Sequence, residues 1–464
     1  MRARCVLPLL LACAGAACGG EPERWPDVLL VTVDTLRQDY VSAYGAGLAR
    51  TPHLDALATG GALFEEHYTV ASETGPAHAT LLTGLYPRQH GLRTNGMLLD
   101  ESLPSLAPRL AAAGYRTGAA IGAGPVNSRL GFGRGFEYFG EAFMEWSGQA
   151  NEERSYERVA AEVVDDGLAF LSRDDGRPVF LWVHVFDPHD PYHRPRSEWS
   201  PGPAVEPLLE PSSFFSRAEL REMHAGYAAE VAYTDAELGR LLAAWDARPG
   251  AAGSLVVFTA DHGEGLGEHG YRTHALYLYE EQIRAPLILR MGGRIEPGTR
   301  VDAITSAVDV PATVLDLLGL GTSGGLGGGS LRPLLDPALR GEAPERFAVA
   351  ERAAGAGVHL GGGRPAAKLL AARRGRAGGG VGELVALVRP GGRKLIWSED
   401  APDELYLLGE DPAERSNAWD ESDELAQALA SWVERWREAT VARGSGPRVA
   451  EDPETREMLD DLGY

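Results

Sequence analysis

Short, almost uninterrupted apolar runs recur along the chain. The clearest are Asp27–Val33 (DVLLVTV), Pro178–Phe186 (PVFLWVHVF) and Ser254–Ala260 (SLVVFTA), with Arg116–Ala123 and Ala285–Arg290 as weaker versions. Runs this short, apolar at successive rather than alternate positions, predict strands covered on both faces, as in a parallel sheet. Between them lie stretches with apolar residues at helical spacing: Ser105–Ala113, which ends at Gly114, Ala218–Ala244, and Thr305–Leu318, stopped by Gly319. Strands alternating with helices predict an α/β domain. The glycine-rich segment Gly321–Gly329 follows a predicted helix instead of a strand, so it reads as a linker and not as a phosphate cradle. Beyond residue 346 the pattern changes to two short strands, Glu383–Arg389 and Arg393–Trp397, and one helix, Glu424–Glu438. The organisation expected is therefore a large domain over residues 25–345 and a small α+β C-terminal domain over 346–464.

Composition narrows the function. The chain has 464 residues, is 24% charged and 44% hydrophobic, and carries a net charge of −22. That balance excludes a wholly disordered or multi-span membrane protein. Acidity of this size argues against nucleic acid as a partner, because phosphate backbones are gripped by clustered Lys and Arg. A small anionic substrate stays compatible with it, since a bound cation reverses the local field. The three cysteines, Cys5, Cys13 and Cys18, all lie in the first 18 residues. The body therefore has no disulfide framework, no thiolate metal site and no cysteine nucleophile. Arg2 and Arg4 precede a short apolar run that ends in Gly15, Ala16, Ala17 and Cys18, the layout of an export signal over residues 1–18. A cysteine directly after small residues resembles a bacterial lipoprotein signal, with Cys18 lipidated. The expectation is an exported lipoprotein of the periplasm, outer membrane or cell surface, touching a membrane only through that anchor.

Three of the predicted strands end at an aspartate: Asp34, Asp187 and Asp261. In an open parallel sheet, ligands bind beyond the carboxyl ends of the strands. Three acids delivered there repel one another unless a cation sits between them. Histidines stand beside two of them, at His189 and His262. A further segment, Ser72–Gly84, carries Thr74 two residues before Pro76, a residue suited to the first turn of a helix. A hydroxyl at a helix N-terminus lies in a field that favours an anion. Touching a metal as well, it becomes a nucleophile for a sulfuryl or phosphoryl centre. His78 follows one turn later on the same face, placed to hold the nucleophile or a substrate oxygen. His184 reads as a packed strand residue. His53, His67, His90, His224 and His359 read as surface or capping residues, while His193 and His269 lie near the site in sequence and stay open.

An ordered set of motifs resembles the sulfatase family of the alkaline phosphatase superfamily. They run Val31-Thr-Val-Asp-Thr-Leu-Arg37, Thr74-Gly-Pro-Ala-His-Ala-Thr-Leu-Leu-Thr-Gly84, Ala113-Gly-Tyr-Arg-Thr117, and Phe186-Asp-Pro-His-Asp-Pro-Tyr192. Then come Asp261-His-Gly263, Tyr279-Glu-Glu-Gln-Ile-Arg-Ala-Pro286, Lys394-Leu-Ile396, and Glu404-Leu-Tyr406 before Asp411-Pro412. The resemblance implies an alkaline-phosphatase-like α/β fold: a central mixed, mainly parallel sheet flanked by helices, with a smaller α+β C-terminal domain. It implies that Asp34, Asp261 and His262, with Thr74, bind one divalent ion (Ca, Mn or Zn). Thr74 matches the nucleophile; His189 and His274 match positions that contact the substrate's anionic head or protonate the leaving group. A second ion would take Asp187, His189 and His274.

The departures are as informative. Family members carry a cysteine or serine, converted to formylglycine, where this chain has Thr74, which cannot make that conversion. His78 replaces an arginine, Thr35 the second of two metal-binding aspartates, and Ala123-Gly-Pro125 a lysine–histidine pair. The expected function is a metal-dependent, sulfatase-like hydrolase of sulfate or phosphate esters, acting on a small anionic ester on a glycan or lipid. The alternatives are a transferase of phospho-head-groups and a non-catalytic glycan-binding lipoprotein.

Overall fold

The computed structural model describes residues 25–143, 157–192, 205–210, 212, 214–322, 327–336, 338–339, 344–355 and 382–440. The signal segment with Cys18, His193, His359 and residues 441–464 lie outside them. The expected strands form, as β1 (Val28–Val33), β3 (Arg116–Ile121), β5 (Val179–Val185), β6 (Leu255–Ala260) and β9 (Leu287–Met291). They are joined by β2 (Ala62–Tyr68), β4 (Tyr138–Gly140) and β10 (Thr299–Ser306) in one eight-stranded sheet, ordered β10-β2-β9-β6-β1-β5-β3-β4. β1 runs parallel to both neighbours, β5 and β6, while β9 runs against β6 and β2. The sheet is thus mixed and mainly parallel, as expected. A hairpin of β7 (Gly265–Leu266) and β8 (Arg272–Thr273) follows the central strand β6.

The continuous apolar runs have a physical counterpart, because alternate residues of each strand feed different cores. Val28 and Leu30 of β1 and Phe180 and Trp182 of β5 enter one buried cluster. Leu29, Val31 and Val33, with Leu181, Val183 and Val185, enter the other. Thr32 and His184, register partners near the strand ends, are the polar exceptions on the first face. Four helices, α1 (Pro52–Thr59), α2 (Thr74–Thr83), α3 (Pro87–His90) and α4 (Leu106–Ala112), come first in the chain, and that face is covered by α2, a helix with all ten residues buried. The opposite face is covered by α5 (Ala160–Leu171) and by α6 (Arg217–Asp246), which opens with a Ser216/Glu219 capping box.

One boundary differs from expectation. The helix expected over Thr305–Leu318 begins at Val310, because residues 299–306 instead pair with β2 as strand β10. Strand pairing there overrides a pattern that also fitted a helix. α2 begins at Thr74, with Glu73 as N-cap and Pro76 in the first turn, so Thr74 stands at the helix N-terminus as expected.

The C-terminal segment forms a four-stranded antiparallel sheet, β11 (Ala348–Arg352), β12 (Leu384–Arg389), β13 (Arg393–Ser398) and β14 (Glu404–Leu407), backed by the helix Glu424–Ala439. Val385, Leu387, Leu395, Val433 and Trp436 belong to the same apolar cluster as the first face of the main sheet. Arg88 and Arg93 add ion pairs to Glu351 of β11 at 3.3 and 3.0 Å, and both also bind Glu383. Among the described residues no helix is long and apolar enough to cross a membrane.

Candidate active site

β1 and β6 are adjacent and parallel, so the residues that follow them emerge side by side. Asp34 leaves β1, and Asp261 and His262 leave β6; all three are fully buried. One ligand atom from each lies within 4.8 Å of the others, and among the described residues this is the group of acids and histidines so gathered. Local hydrogen bonds fix how each side chain faces the centre. Asp261 Oδ1 accepts the N–H groups of Thr35 (3.1 Å) and His262 (2.7 Å), so Oδ2 is left to point inward. His262 Nδ1 donates to the Gly263 carbonyl at 3.0 Å, which leaves Nε2 bare. That nitrogen stands 3.6 Å from Asp261 Oδ2 and 3.8 Å from Asp34 Oδ1. Asp34 Oδ1, Asp261 Oδ2 and His262 Nε2 are all buried without a hydrogen-bond partner.

Three unsatisfied acceptors facing one another are costly in a protein interior. Burial pushes the Asp34 carboxyl up, and burial together with the Asp34 charge pushes Asp261 up to about 7. Burial lowers His262 to about 4. The group resists its own negative charge and offers two carboxylate oxygens and a neutral imidazole. That donor set fits a divalent cation, which would satisfy all three atoms at once.

The bend after β1 is strained. Thr35 has φ 51°, a left-handed conformation that is a genuine outlier for a β-branched residue. It is held on both sides: its N–H binds Asp261, and its carbonyl accepts the Tyr227 hydroxyl at 2.5 Å. The same hydroxyl accepts the Arg37 N–H at 2.8 Å. The strain thus aims Asp261.

Thr74 lies on the other side of Asp34, with Oγ1 3.5 Å from Oδ2. The segment Thr94–Asn95 clamps the start of α2. Glu73 accepts the Thr94 hydroxyl (2.8 Å) and the Asn95 N–H (3.0 Å), and Asn95 Oδ1 accepts the Gly75 N–H at 2.7 Å. A Cβ at Gly75 would lie 2.9 Å from that oxygen, so the close approach requires glycine. With the Gly75 N–H taken by Asn95, what the helix offers Thr74 is its dipole field.

His78, on the next turn, donates from Nδ1 to the Thr74 carbonyl at 2.8 Å and sits 3.6 Å from Asp261 Oδ2. His189 and His274 pack ring against ring, with centroids 5.0 Å apart, and His274 also contacts the His262 ring at 4.7 Å. His274 Nδ1 lies 3.3 Å from Oε1 of Glu264, a buried residue that burial pushes up to about 7. Thr273 and Ala275, on either side of His274, both have positive φ, 91° and 65°. Asp187 does not join this cluster: its Oδ2 accepts the Ala160 N–H at 2.7 Å and caps α5. Of the second-ion residues expected from sequence, the structure brings His189 and His274 together beside Glu264, but among the described residues only Asp34, Asp261 and His262 gather three ligand atoms closely enough to hold an ion.

Sequence reasoning missed Glu264, Tyr227, Asn95 and the strained backbone at Thr35. It also misplaced several histidines. His184 does more than pack, since its Nε2 is 3.6 Å from Asp34 Oδ2. His67, His90 and His224 are buried and not on the surface, although His90 does cap its short helix, its Nδ1 accepting the Leu92 N–H at 3.1 Å. His269 belongs to a separate cluster, 2.8 Å from Glu281 and stacked on Tyr279.

Comparison with known proteins agrees with this architecture. The chain is 29% identical over 397 residues to the multifunctional alkaline phosphatase superfamily protein PehA from Trinickia caryophylli, covering 67% of this chain and 77% of that protein. It is 24% identical over 434 residues to an N-acetylglucosamine-6-O-sulfatase from Bacteroides thetaiotaomicron, covering 71% and 75%. Its fold matches that of a phosphonate monoester hydrolase from Silicibacter pomeroyi with a TM-score of 0.68 at 22% identity, over 92% of this chain and 99% of that one. The Sulfatase family profile matches residues 26–320, more than half of the chain, which therefore belongs to the sulfatase family and is a hydrolase acting on ester bonds.

Proposed function

We propose that this hydrolase uses Thr74 as a nucleophile beside a divalent cation held by Asp34, Asp261 and His262, and that its substrate is a small phosphate or sulfate ester. The observation that carries the reading is the placement of the Thr74 hydroxyl, 3.5 Å from Asp34 Oδ2, next to three buried, unpartnered ligand atoms. When bound, the cation supplies Lewis-acid chemistry: it offsets charge on the ester and lowers the pKa of a neighbouring hydroxyl.

The protein's own groups account for the remaining steps. Thr74 Oγ1 attacks phosphorus or sulfur in line with the leaving oxygen; the new O–P or O–S bond forms as the bond to the leaving oxygen breaks. The dipole of α2 favours the oxyanion form of Thr74. His274 passes a proton to the departing oxygen; burial lowers this ring to about 4 and raises Glu264 to about 7, so the Glu264 carboxyl, 3.3 Å from Nδ1, holds the proton in reserve and replaces the one the neutral imidazole gives up. Water then displaces the group from Thr74. Such displacement is slow at a sulfate ester and workable at a phosphate ester. A threonyl ester also has no elimination route of the kind formylglycine provides. Both points favour phosphoester turnover over simple sulfatase activity. The relative named N-acetylglucosamine-6-O-sulfatase supports a carbohydrate as the carrier of the ester.

The test is a panel of chromogenic sulfate, phosphate monoester, phosphodiester and phosphonate substrates, each assayed with Zn, Mn and Ca. Thr74→Ala should lose all turnover while keeping its fold and its metal. Thr74→Ser should retain part of the activity. A fully active Thr74→Ala protein would remove the hydroxyl from the mechanism.

A further inference from the structure

Thr32 is the one polar residue on its face of β1, and it sits at the centre of a buried hydrogen-bond cluster. Its Oγ1 accepts the Trp182 Nε1–H at 3.0 Å, and lies 3.0 Å from His78 Nε2 and 3.1 Å from His184 Nδ1. All four side chains are buried. A hydroxyl has one proton and two lone pairs, so its three neighbours assign one another's protons. Trp182 can only donate. His78 Nδ1 faces the Thr74 carbonyl, which can only accept, so Nδ1 carries the proton of the ring. In a neutral ring His78 Nε2 is then bare and takes the single proton of Thr32. The remaining lone pair of Thr32 is left for a proton donated by His184 Nδ1. Every valence of the Thr32 oxygen is used, and the direction of each bond is fixed.

The end of this chain is the peptide carbonyl of Thr74 itself. On the reading of Thr74 as nucleophile, we infer that Thr32 is a positioning residue: through His78 it holds the Thr74 peptide and so aims the Thr74 hydroxyl at Asp34. The linkage joins β1, which delivers Asp34, to α2, which delivers Thr74. His184 sets its polarity by supplying the second donor to Thr32. The His184 Nε2 that remains is bare, buried without a hydrogen-bond partner, and 3.6 Å from Asp34 Oδ2. A bare nitrogen facing a carboxylate oxygen adds to the local need for positive charge.

The experiment compares Thr32→Val, which keeps the shape and removes the hydroxyl, with Thr32→Ser, which keeps the hydroxyl. Misaiming a reacting group by about 1 Å costs on the order of 100-fold in rate. Thr32→Val should therefore lower kcat roughly 10- to 100-fold, with KM and the Kd for the metal within a factor of about two, and Thr32→Ser should recover most of kcat. Unchanged kcat in folded Thr32→Val would overturn the inference, as would equal losses of kcat and metal affinity, which would place Thr32 in the ion site. Where Thr32→Val does not fold, two-dimensional NMR of the metal-loaded wild-type protein labelled with ¹⁵N-histidine decides. Both His78 and His184 should be Nδ1–H tautomers, and an Nε2–H tautomer on His78 would refute the assignment. These outcomes separate from the nucleophile question, since an active Thr74→Ala protein sinks that reading whatever Thr32 does.

Discussion

Tyr227→Phe removes one hydroxyl that never reaches the candidate site, yet it should weaken metal binding. That hydroxyl donates to the Thr35 carbonyl and accepts the Arg37 N–H, and both bonds are buried. Stranding two buried backbone groups costs about 1–3 kcal/mol each, while release of strain at Thr35 returns about 1 kcal/mol, for a net loss on the order of 1–5 kcal/mol. The freed Thr35 peptide would no longer present its N–H to Asp261 Oδ1, and Asp261 would lose one of the two bonds that aim Oδ2. Loss of a partner that orients a ligand costs typically about 10- to 100-fold in metal affinity. Urea unfolding of the metal-free protein measures the first quantity, and calorimetric titration with Zn or Mn the second. Tyr44→Phe is the control. The Tyr44 hydroxyl also bridges two backbone groups, the Leu287 carbonyl (3.2 Å) and N–H (2.9 Å), away from the ion site. It should cost similar stability with no change in affinity. Equal affinities in wild type and Tyr227→Phe, alongside the expected loss of stability, would refute the link between Thr35 and Asp261.

Three further outcomes are expected. Chelation should lower the thermal midpoint, and saturating the metal at about 100 times its Kd should restore about 2.7 kcal/mol. Asp261→Asn should stabilise the metal-free protein, by removing one of two crowded carboxylates, and abolish the response to metal; a normal metal response in that variant would place the ion elsewhere. For His269, burial alone would lower the pKa, but the charge and hydrogen bond of Glu281 override it and hold the ring up at about 9, while Glu281, which burial would raise, is drawn down to about 2. Stability from this pair should be complete between about pH 4.5 and 6.5, fall as pH rises through 9 and fall again toward pH 2; chemical unfolding of His269→Gln should show a flattened alkaline limb. We also propose export and lipidation at Cys18: radiolabelled fatty acid should enter the wild-type protein in cells and be absent from Cys18→Ser.

What the sequence revealed was local in origin. Asp34, Asp261, His262 and Thr74 were legible because each stands at the end or start of an element whose apolar pattern is unambiguous, and a parallel sheet delivers such ends to one place. Asp187 looked equivalent by that rule. It is not, because a strand-end carboxylate can equally turn to the start of a neighbouring helix, here the preceding α5, whose Ala160 N–H claims it. Thr32 and His184 were illegible for the opposite reason: inside an apolar strand, each looks like filler, and only the pairing of β1 with β5 under α2 shows that they meet. The left-handed backbone of Thr35 has no sequence signal at all, since a threonine gives no warning of it. The helix expected from Thr305 began five residues late because Thr299–Ser306 found a partner strand far away in sequence.

The complete burial of α2 has a consequence for how such a protein can change. The Thr74 hydroxyl, proposed above as the nucleophile, is set into the core like a post in concrete, and no small adjustment of that helix is open to accommodate a larger or differently shaped ester. Breadth or novelty of substrate must therefore come from the segments around the rim, the loop carrying His189 and the hairpin leading to His274. Libraries built to alter specificity should be concentrated there and leave residues 74–83 untouched.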